Sequence, residues 1–209
     1  MTKIRRLTDS CLLVASDSAA TLFDPGFHTF GSGEVDLDTI GDVSRVFITH
    51  EHGDHAHPRF IAWLLDRGTD IQVFSNEAVA ALLAPHDIVV NTSVPEDTSV
   101  EDVLHEVIPN GNAPPNRAFT IEDLFTHLGD SRQPSRSGPI LALPLLVPWG
   151  STTGAVQFAR RLEPRQVIPV HDFYLNEKGR RFITEMAGSV LAEDGIELVK
   201  LDWGDSFSF

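Results

Sequence analysis

The sequence predicts an α/β fold in which β-sheets pack between helices. Short apolar runs typical of strands are followed by stretches with helical spacing, and this order occurs in both halves of the 209 residues. A hydrophobic content of 42% is enough for a sizeable core. No internal repeat or long linker divides the chain, so we expect a single domain over residues 1–209.

A hairpin and two strand–helix units account for the first half. The runs CLLVAS and ATLFDPG are separated by polar residues and predict the hairpin. SRVFITH predicts a strand, and the apolar residues of PRFIAWLLDRG follow helical spacing. IQVFS and NEAVAALLAP repeat the same order, with Asn76 as the expected N-cap of the second helix.

The second half begins β-rich and ends in strand–helix units. Residues 88–128 contain several strand-like runs, and GPILALPLLVPWG predicts a buried strand that ends at Pro148. TTGAVQFARRLEP predicts a helix, QVIPVH a strand, and residues 176–193 a long amphipathic helix before the final strand IELVKLD. Loops at the ends of these strands are the natural place for a functional site.

Charge and cysteine content exclude several classes of protein. Thirty acidic against sixteen basic residues give a net charge of −14, which disfavours nucleic-acid binding because no basic surplus displaces counterions from phosphates. No apolar run is long enough to cross a bilayer, so we expect no membrane partner. Cys11 is the sole cysteine, which excludes an intrachain disulfide and favours a reducing cytoplasmic location.

The segment FITHEHGDHAHP carries the strongest chemical signal. It places His50, His52, Asp54 and His55 directly after an apolar run, in the pattern H-x-H-x-D-H. Residues two apart at a strand end point to the same face, and Gly53 allows the sharp turn that follows. Imidazole nitrogens with carboxylate oxygens suit zinc, manganese or iron. The segment therefore predicts a metal site.

THEHGDH resembles the signature of the metallo-β-lactamase superfamily, and further likeness extends along nearly the whole chain. LFDPG resembles the strand end whose aspartate, Asp24, supports the histidine loop; HLGDS and VIPVH resemble the segments that carry Asp130 and His171. The stretch from Pro148 to Tyr174 is similar to the branch containing L-ascorbate-6-phosphate lactonase. The resemblance implies a four-layer αββα sandwich.

The resemblance also implies two divalent metal ions, preferably zinc, with manganese or iron as alternatives. One would be held by His50, His52 and a third ligand, the other by Asp54, His55 and His171, with Asp130 bridging. The third ligand is where this sequence departs from the family. Alignment of the loop shape places Asn112 in that slot. His127 is a rival although it lies an odd number of residues before Asp130, and His105 is a weaker third candidate.

The implied activity is hydrolysis of a small ester, lactone or phosphodiester-type substrate by a metal-bridging hydroxide, with Asp54 as the catalytic residue that orients it. Candidate substrate-binding residues are Trp149, as an aromatic wall, and Arg132 and Arg136, as partners for an anionic group. Two alternatives stay open: a degenerate member acting as a binding or scaffold protein, and a nuclease. The sequence leaves the oligomeric state open, a homo-oligomer included.

Overall fold

The computed structural model describes residues 1–68 and 70–209. These form two compact units, the first comprising residues 1–94 and 201–209 and the second residues 95–200. Each unit contains one mixed β-sheet with helices, so the predicted α/β class is confirmed.

The first unit is built on a seven-stranded sheet with the order β13-β1-β2-β3-β4-β5-β6. Strands β1 to β3 and β13 pair antiparallel, and β3 to β6 pair parallel. The strands are β1 Lys3–Arg6, β2 Leu12–Ala15, β3 Ala20–Phe23, β4 Arg45–Phe47, β5 Gln72–Phe74, β6 Val90–Asn91 and β13 Ser206–Ser208. The helices are α1 Phe27–Gly31, α2 Pro58–Arg67 and α3 Glu77–Leu83, with 3-10 turns at Leu37–Thr39 and Ala84–His86.

Local signals explain the helices of this unit. Proline stands at the start of α2, where its missing N–H costs no hydrogen bond, and the α2 side chains Phe60, Ile61 and Leu64 are buried. Asn76 caps α3 by accepting a hydrogen bond from the Val79 N–H at 3.0 Å, as the sequence predicts.

Because β3 and β4 are parallel, their carboxyl ends lie at one edge of the sheet, and residues 24–26 and 48–57 project from that edge.

The second unit is built on a six-stranded sheet with the order β12-β11-β10-β9-β8-β7. Strands β7 to β9 form an antiparallel meander, and β9 to β12 pair parallel. The strands are β7 Thr98–Leu104, β8 Pro115–Ile121, β9 Phe125–His127, β10 Ile140–Pro144, β11 Gln166–Val170 and β12 Glu197–Leu198. The helices are α4 Thr152–Leu162 and α5 Glu177–Ala192, whose buried side chains pack in the core of this unit.

Most predicted elements are confirmed, but one strand end was wrong. Strand β10 ends at Pro144 rather than at Pro148, because the chain turns back on itself in an isolated bridge between Val147 and Gly150. Strands β1 and β13, which pair with each other, were not predicted. Among the described residues, no helix combines the length and apolar character needed to cross a membrane.

Candidate metal centre

Four side chains of the loop after β4 lie together. We call His50, His52, Asp54 and His55 the loop cluster. His50 Nε2 lies 3.0 Å from His52 Nδ1, and His55 Nε2 lies 3.8 Å from Asp54 Oδ2. The His50 and His55 rings are 4.1 Å apart between centroids, and both side chains are fully buried. The loop therefore concentrates nitrogen and oxygen donors, with His50 and His55 buried and His52 and Asp54 partly exposed.

Asp24 holds this loop in place through hydrogen bonds. Its two carboxylate oxygens accept hydrogen bonds from the Thr49 N–H at 2.7 Å and the Thr49 hydroxyl at 2.8 Å. The same carboxylate accepts a third bond from His55 Nδ1 at 2.7 Å. Asp24 is completely buried and has a left-handed φ of 46° immediately after β3, a conformation that aspartate tolerates better than most residues. This agrees with the supporting role that the family resemblance implies for Asp24.

The hydrogen bonds of Asp24 and Thr49 determine which ring nitrogen of His50 and of His55 carries the proton. A carboxylate only accepts, so His55 must donate from Nδ1, which leaves the Nε2 lone pair for a ligand. The Thr49 hydroxyl donates its proton to Asp24 and can therefore only accept from His50 Nδ1, 3.1 Å away. His50 Nε2 is then also a lone-pair donor. Thr49, which sequence reasoning overlooked, thus sets the tautomer of one expected ligand.

The backbone of the loop cluster is held by the segment after β3. The Phe27 N–H donates to the Gly53 carbonyl at 2.9 Å, and the His57 N–H donates to the Pro25 carbonyl at 3.1 Å. Gly26 approaches so closely that an added Cβ would lie 1.6 Å from the Asp54 carbonyl oxygen. Only glycine permits this contact.

The second unit contains its own group of potential ligands, which we call the carboxylate cluster: His105, Asp130 and His171. Asp130 Oδ2 lies 3.2 Å from His105 Nε2 and 3.1 Å from His171 Nε2. The Trp149 indole N–H also donates to Asp130 Oδ2, at 3.1 Å. Both histidines and Asp130 are buried.

Strand topology explains why these residues meet. Asp130, Trp149 and His171 follow β9, β10 and β11, three neighbouring parallel strands whose carboxyl ends lie at the same edge of the sheet. His105 follows β7 and is brought to the same edge because the Glu106 N–H donates to the Asp130 carbonyl at 2.9 Å.

Neighbouring groups orient the ligands of the carboxylate cluster. The Asn116 side chain accepts a hydrogen bond from the Asp130 N–H at 3.1 Å and donates to the Leu128 carbonyl at 2.8 Å. His105 Nδ1 donates to the carbonyl of Glu106, because a carbonyl only accepts. His105 Nε2 lies 3.2 Å from Asp130 Oδ2, a position from which both atoms could bind one metal ion. Asn116 and this backbone contact were not anticipated from the sequence.

The three candidates for the third ligand lie in different surroundings. Asn112 is exposed in the connection between β7 and β8, where its N–H bonds to the Asn110 side chain. His127 lies on β9 with Nδ1 accepting from the Gly129 N–H at 3.2 Å, three residues before Asp130 on a strand whose faces alternate. Of the three candidates it is His105, the weakest on sequence grounds, whose Nε2 lies 3.2 Å from Asp130 Oδ2. The position of His105 depends on the register between β7 and β8, which cannot be derived from the sequence.

The three candidate substrate residues differ in their surroundings. Arg136 is exposed, whereas the Arg132 guanidinium lies over the Trp149 ring at 5.2 Å and donates to the Pro144 carbonyl at 3.1 Å. Burial lowers the pKa of Arg132, an effect opposed by the charges of Glu106 and Asp130. Arg132 and Trp149 are thus engaged with the carboxylate cluster and its supporting backbone.

Cys11 has no place in this chemistry. The side chain is buried, and burial raises the pKa of its thiol well above the usual range. The charges of Asp24 and Asp9 also raise this pKa, whereas a hydrogen bond with Thr29 lowers it. Since the thiolate is the nucleophilic form, a thiol so placed is inert.

The donor sets fit divalent transition metals. Two nitrogens bound to one tetrahedral zinc at about 2.0–2.1 Å lie roughly 3.3 Å apart, close to the 3.0 Å between His50 and His52. Imidazole and carboxylate donors without thiolate are also suited to manganese and iron. Each cluster can therefore supply ligands to a metal ion.

Comparison with known proteins gives a family match. Residues 5–132 match the model of the metallo-beta-lactamase superfamily. Protein Rv0786c of Mycobacterium tuberculosis is 29% identical over 174 residues, covering 78% of this chain and 80% of that protein.

Two solved structures share the fold at low sequence identity. An isothiocyanate hydrolase from Delia radicum gut bacteria is 16% identical with a TM-score of 0.65, covering 99% of this chain and 98% of its own. The short form of human tRNase Z is 12% identical with a TM-score of 0.64, again covering 99% and 98%. At such identities the likeness shows the fold alone.

Proposed function

The chain belongs to the metallo-β-lactamase superfamily, and we propose that it hydrolyses a small ester, lactone or phosphodiester-type substrate with two divalent metal ions, preferably zinc. The family and its hydrolase neighbours make it a metal-dependent hydrolase. The proposal rests on the hydrogen bonds of two histidines of the loop cluster. In His50 and His55, a hydrogen bond at Nδ1 leaves Nε2 as a lone-pair donor.

We propose the ligand assignment that the family resemblance implies, with His105 as the third histidine. His50, His52 and His105 would hold one ion; Asp54, His55 and His171 would hold the other; and Asp130 would serve both. Within the second unit, the contacts of Asp130 with His105 and His171 support this assignment. A bound divalent ion would lower the pKa of a water from ~15.7 to about 7 and polarise the scissile carbonyl or phosphoryl group.

The remaining work falls to residues of the chain. Asp54 is partly exposed, with a side-chain exposure of 24%, and can both orient the attacking water and accept its proton. Asp24, buried and bonded to Thr49 and His55, keeps the loop in one arrangement through the reaction. Trp149 fixes one oxygen of Asp130 through its indole N–H.

The scaffold alternative loses its main support. It rested on a missing third histidine, and His105 supplies an oriented imidazole beside Asp130. The nuclease alternative has a precedent in the tRNase Z fold, but a net charge of −14 opposes binding to a polyanion. We therefore propose a small-molecule substrate and, from the single cysteine, a cytoplasmic location.

Metal analysis tests the proposal. We would reconstitute the wild-type protein, His55→Ala and His105→Ala with zinc, remove excess metal and measure bound zinc by mass spectrometry. His86→Ala is the matched control because that histidine is exposed. We expect at least two equivalents in the wild type and the control, and less in both ligand variants. A folded wild-type protein that binds no metal would overturn the proposal.

A substrate screen follows the metal analysis. The reconstituted protein would be assayed against a neutral lactone, a carboxylic ester and a phosphodiester, with Asp54→Ala as the inactive reference. Hydrolysis by the wild type that is absent from Asp54→Ala supports the mechanism. Equal rates in the two proteins would show that the hydrolysis comes from a contaminant or another site.

A further inference from the structure

A second group of potential ligands lies in the first unit, and the proposed hydrolysis uses it only through Asp54. Asp9, His28 and Asp54 each offer one ligand atom, and these three atoms lie within 4.8 Å of one another. Asp9 and His28 are 2% and 3% exposed. We propose that these three side chains form a further binding site for a divalent transition metal ion, in addition to the two ions of the proposed hydrolytic centre.

The donor atoms suit such an ion. Two carboxylate oxygens and one imidazole nitrogen are ligands that manganese, iron and zinc accept. His28 Nε2 lies 3.9 Å from Asp9 Oδ2, longer than an N–H···O hydrogen bond of about 2.7–3.2 Å. Donors on one ion with bonds of about 2.0–2.2 Å can be up to roughly 4.4 Å apart. The distance of 3.9 Å therefore falls within the range expected for two ligands of one ion.

The turn that carries Asp9 is rigid. The Leu7 N–H donates to the Cys11 carbonyl at 3.0 Å, and the Cys11 N–H donates to the Thr8 carbonyl at 2.9 Å. Asp9 lies within this turn with a left-handed φ of 54°. A buried non-glycine residue keeps that conformation only where its surroundings enforce it. The turn therefore fixes the direction of the Asp9 Cα–Cβ bond.

The helix that carries His28 is tied to both neighbouring segments. The Thr29 hydroxyl lies 2.6 Å from the Thr8 hydroxyl, which joins α1 to the turn of Asp9. On the other side, the Phe27 N–H donates to the Gly53 carbonyl at 2.9 Å, next to Asp54. The three ligands are thus positioned before any ion binds, which reduces the entropy cost of binding.

Charge also favours a cation at this position. Two carboxylates and a neutral imidazole give the group a charge of about −2 when the acids are ionised, in a protein whose net charge is −14. A divalent ion would neutralise both carboxylates, of which that of Asp9 is buried and poorly solvated. Asp54 has two oxygens, so it can contribute one here and one to the loop cluster.

Equilibrium titration with Mn²⁺ tests this site. Free Mn²⁺ would be quantified by its paramagnetic resonance signal, which avoids losing weakly bound metal during desalting. We expect the wild-type protein to bind about one equivalent more than Asp9→Asn or His28→Gln. The matched controls are Asp17→Asn, an exposed acid at 94% side-chain exposure, and His86→Gln, an exposed histidine; both should bind as the wild type does. Identical stoichiometry in all five proteins would overturn the inference.

A measurement on the wild type covers variants that fail to fold. Crystals grown with Mn²⁺ should give an anomalous difference peak bounded by Asp9, His28 and Asp54. Absence of a peak there at saturating Mn²⁺ would refute the site. His105→Ala separates this inference from the proposed function: it should lose Mn²⁺ from the proposed hydrolytic centre while keeping the Asp9 and His28 site.

Discussion

Gly26→Ala tests whether backbone contact holds the loop cluster in place. The Gly26 backbone has φ −86° and ψ 170°, which alanine adopts without strain, so any effect must come from the added methyl group. That methyl carbon would lie 1.6 Å from the Asp54 carbonyl oxygen, whereas real contacts stay above 3.0 Å. The two segments must therefore separate by about 1.4 Å, the difference between these distances.

The expected cost follows from that displacement. Overpacking typically costs about 1–3 kcal/mol, and we expect the upper end because backbone atoms on both sides leave no flexible side chain to yield. For a protein of this size, that corresponds to a Tm lower by roughly 6–12 °C. A misplacement of about 1 Å in a catalytic arrangement lowers the rate by roughly 100-fold. We therefore expect kcat/KM and zinc affinity to fall together in Gly26→Ala.

Gly31→Ala is the matched control. Gly31 is the last residue of α1, whose N-cap is Gly26, and an added Cβ there meets nothing within 4 Å. Its Tm should equal or exceed that of the wild type, because alanine reduces the entropy of the unfolded chain. Calorimetry, zinc competition and steady-state kinetics on the three proteins complete the test. The reasoning fails if Gly26→Ala matches Gly31→Ala in Tm and in zinc affinity.

Three further predictions concern individual side chains. Asp54→Ala should abolish turnover, whereas Cys11→Ser should keep the kcat of the folded protein despite some loss of Tm; an inactive but folded Cys11→Ser would indicate thiol chemistry. His105→Ala should lower zinc affinity by about tenfold or more in a competition assay, and Asn112→Ala should leave it unchanged. A loss of affinity in Asn112→Ala but not in His105→Ala would contradict this prediction. Arg132→Ala should lower Tm by a few degrees, because it loses the contacts with Trp149 and the Pro144 carbonyl. It should lower the hydrolysis rates of neutral and anionic substrates alike. A rise in KM confined to anionic substrates would show instead that Arg132 binds substrate.

The loop cluster could be predicted because its information is local. Four ligands within six positions depend on one strand end and one glycine turn, both readable from adjacent residues. Asp24 could be placed only through the family resemblance, since its bonds to Thr49 and His55 span 25 and 31 residues. The order of strands and helices was predictable for the same reason as the loop cluster, because hydrophobic periodicity is a local property.

The contact between His105 and Asp130 and one strand end could not be predicted in this way. His105 reaches Asp130 because β7 and β8 pair in a register that sets Leu104 opposite Pro115, and no neighbouring residue specifies that register. Strand β10 reads as continuing beyond Pro144 because the residues after it are also apolar. Apolar character predicts burial, and Leu145 and Val147 are buried, but they lie outside the strand.

His171 follows β11 with a left-handed φ of 62°, a conformation that costs an L-residue about 1–2 kcal/mol and glycine nothing. Replacement by glycine would therefore remove the imidazole while relieving the backbone, whereas alanine would keep the strain. The resulting void has the shape of a free imidazole and lies where the native ring is 9% exposed. Imidazole added to the buffer can then take the place of the missing side chain, so a His171→Gly protein offers a route to chemical control of activity by a diffusible small molecule.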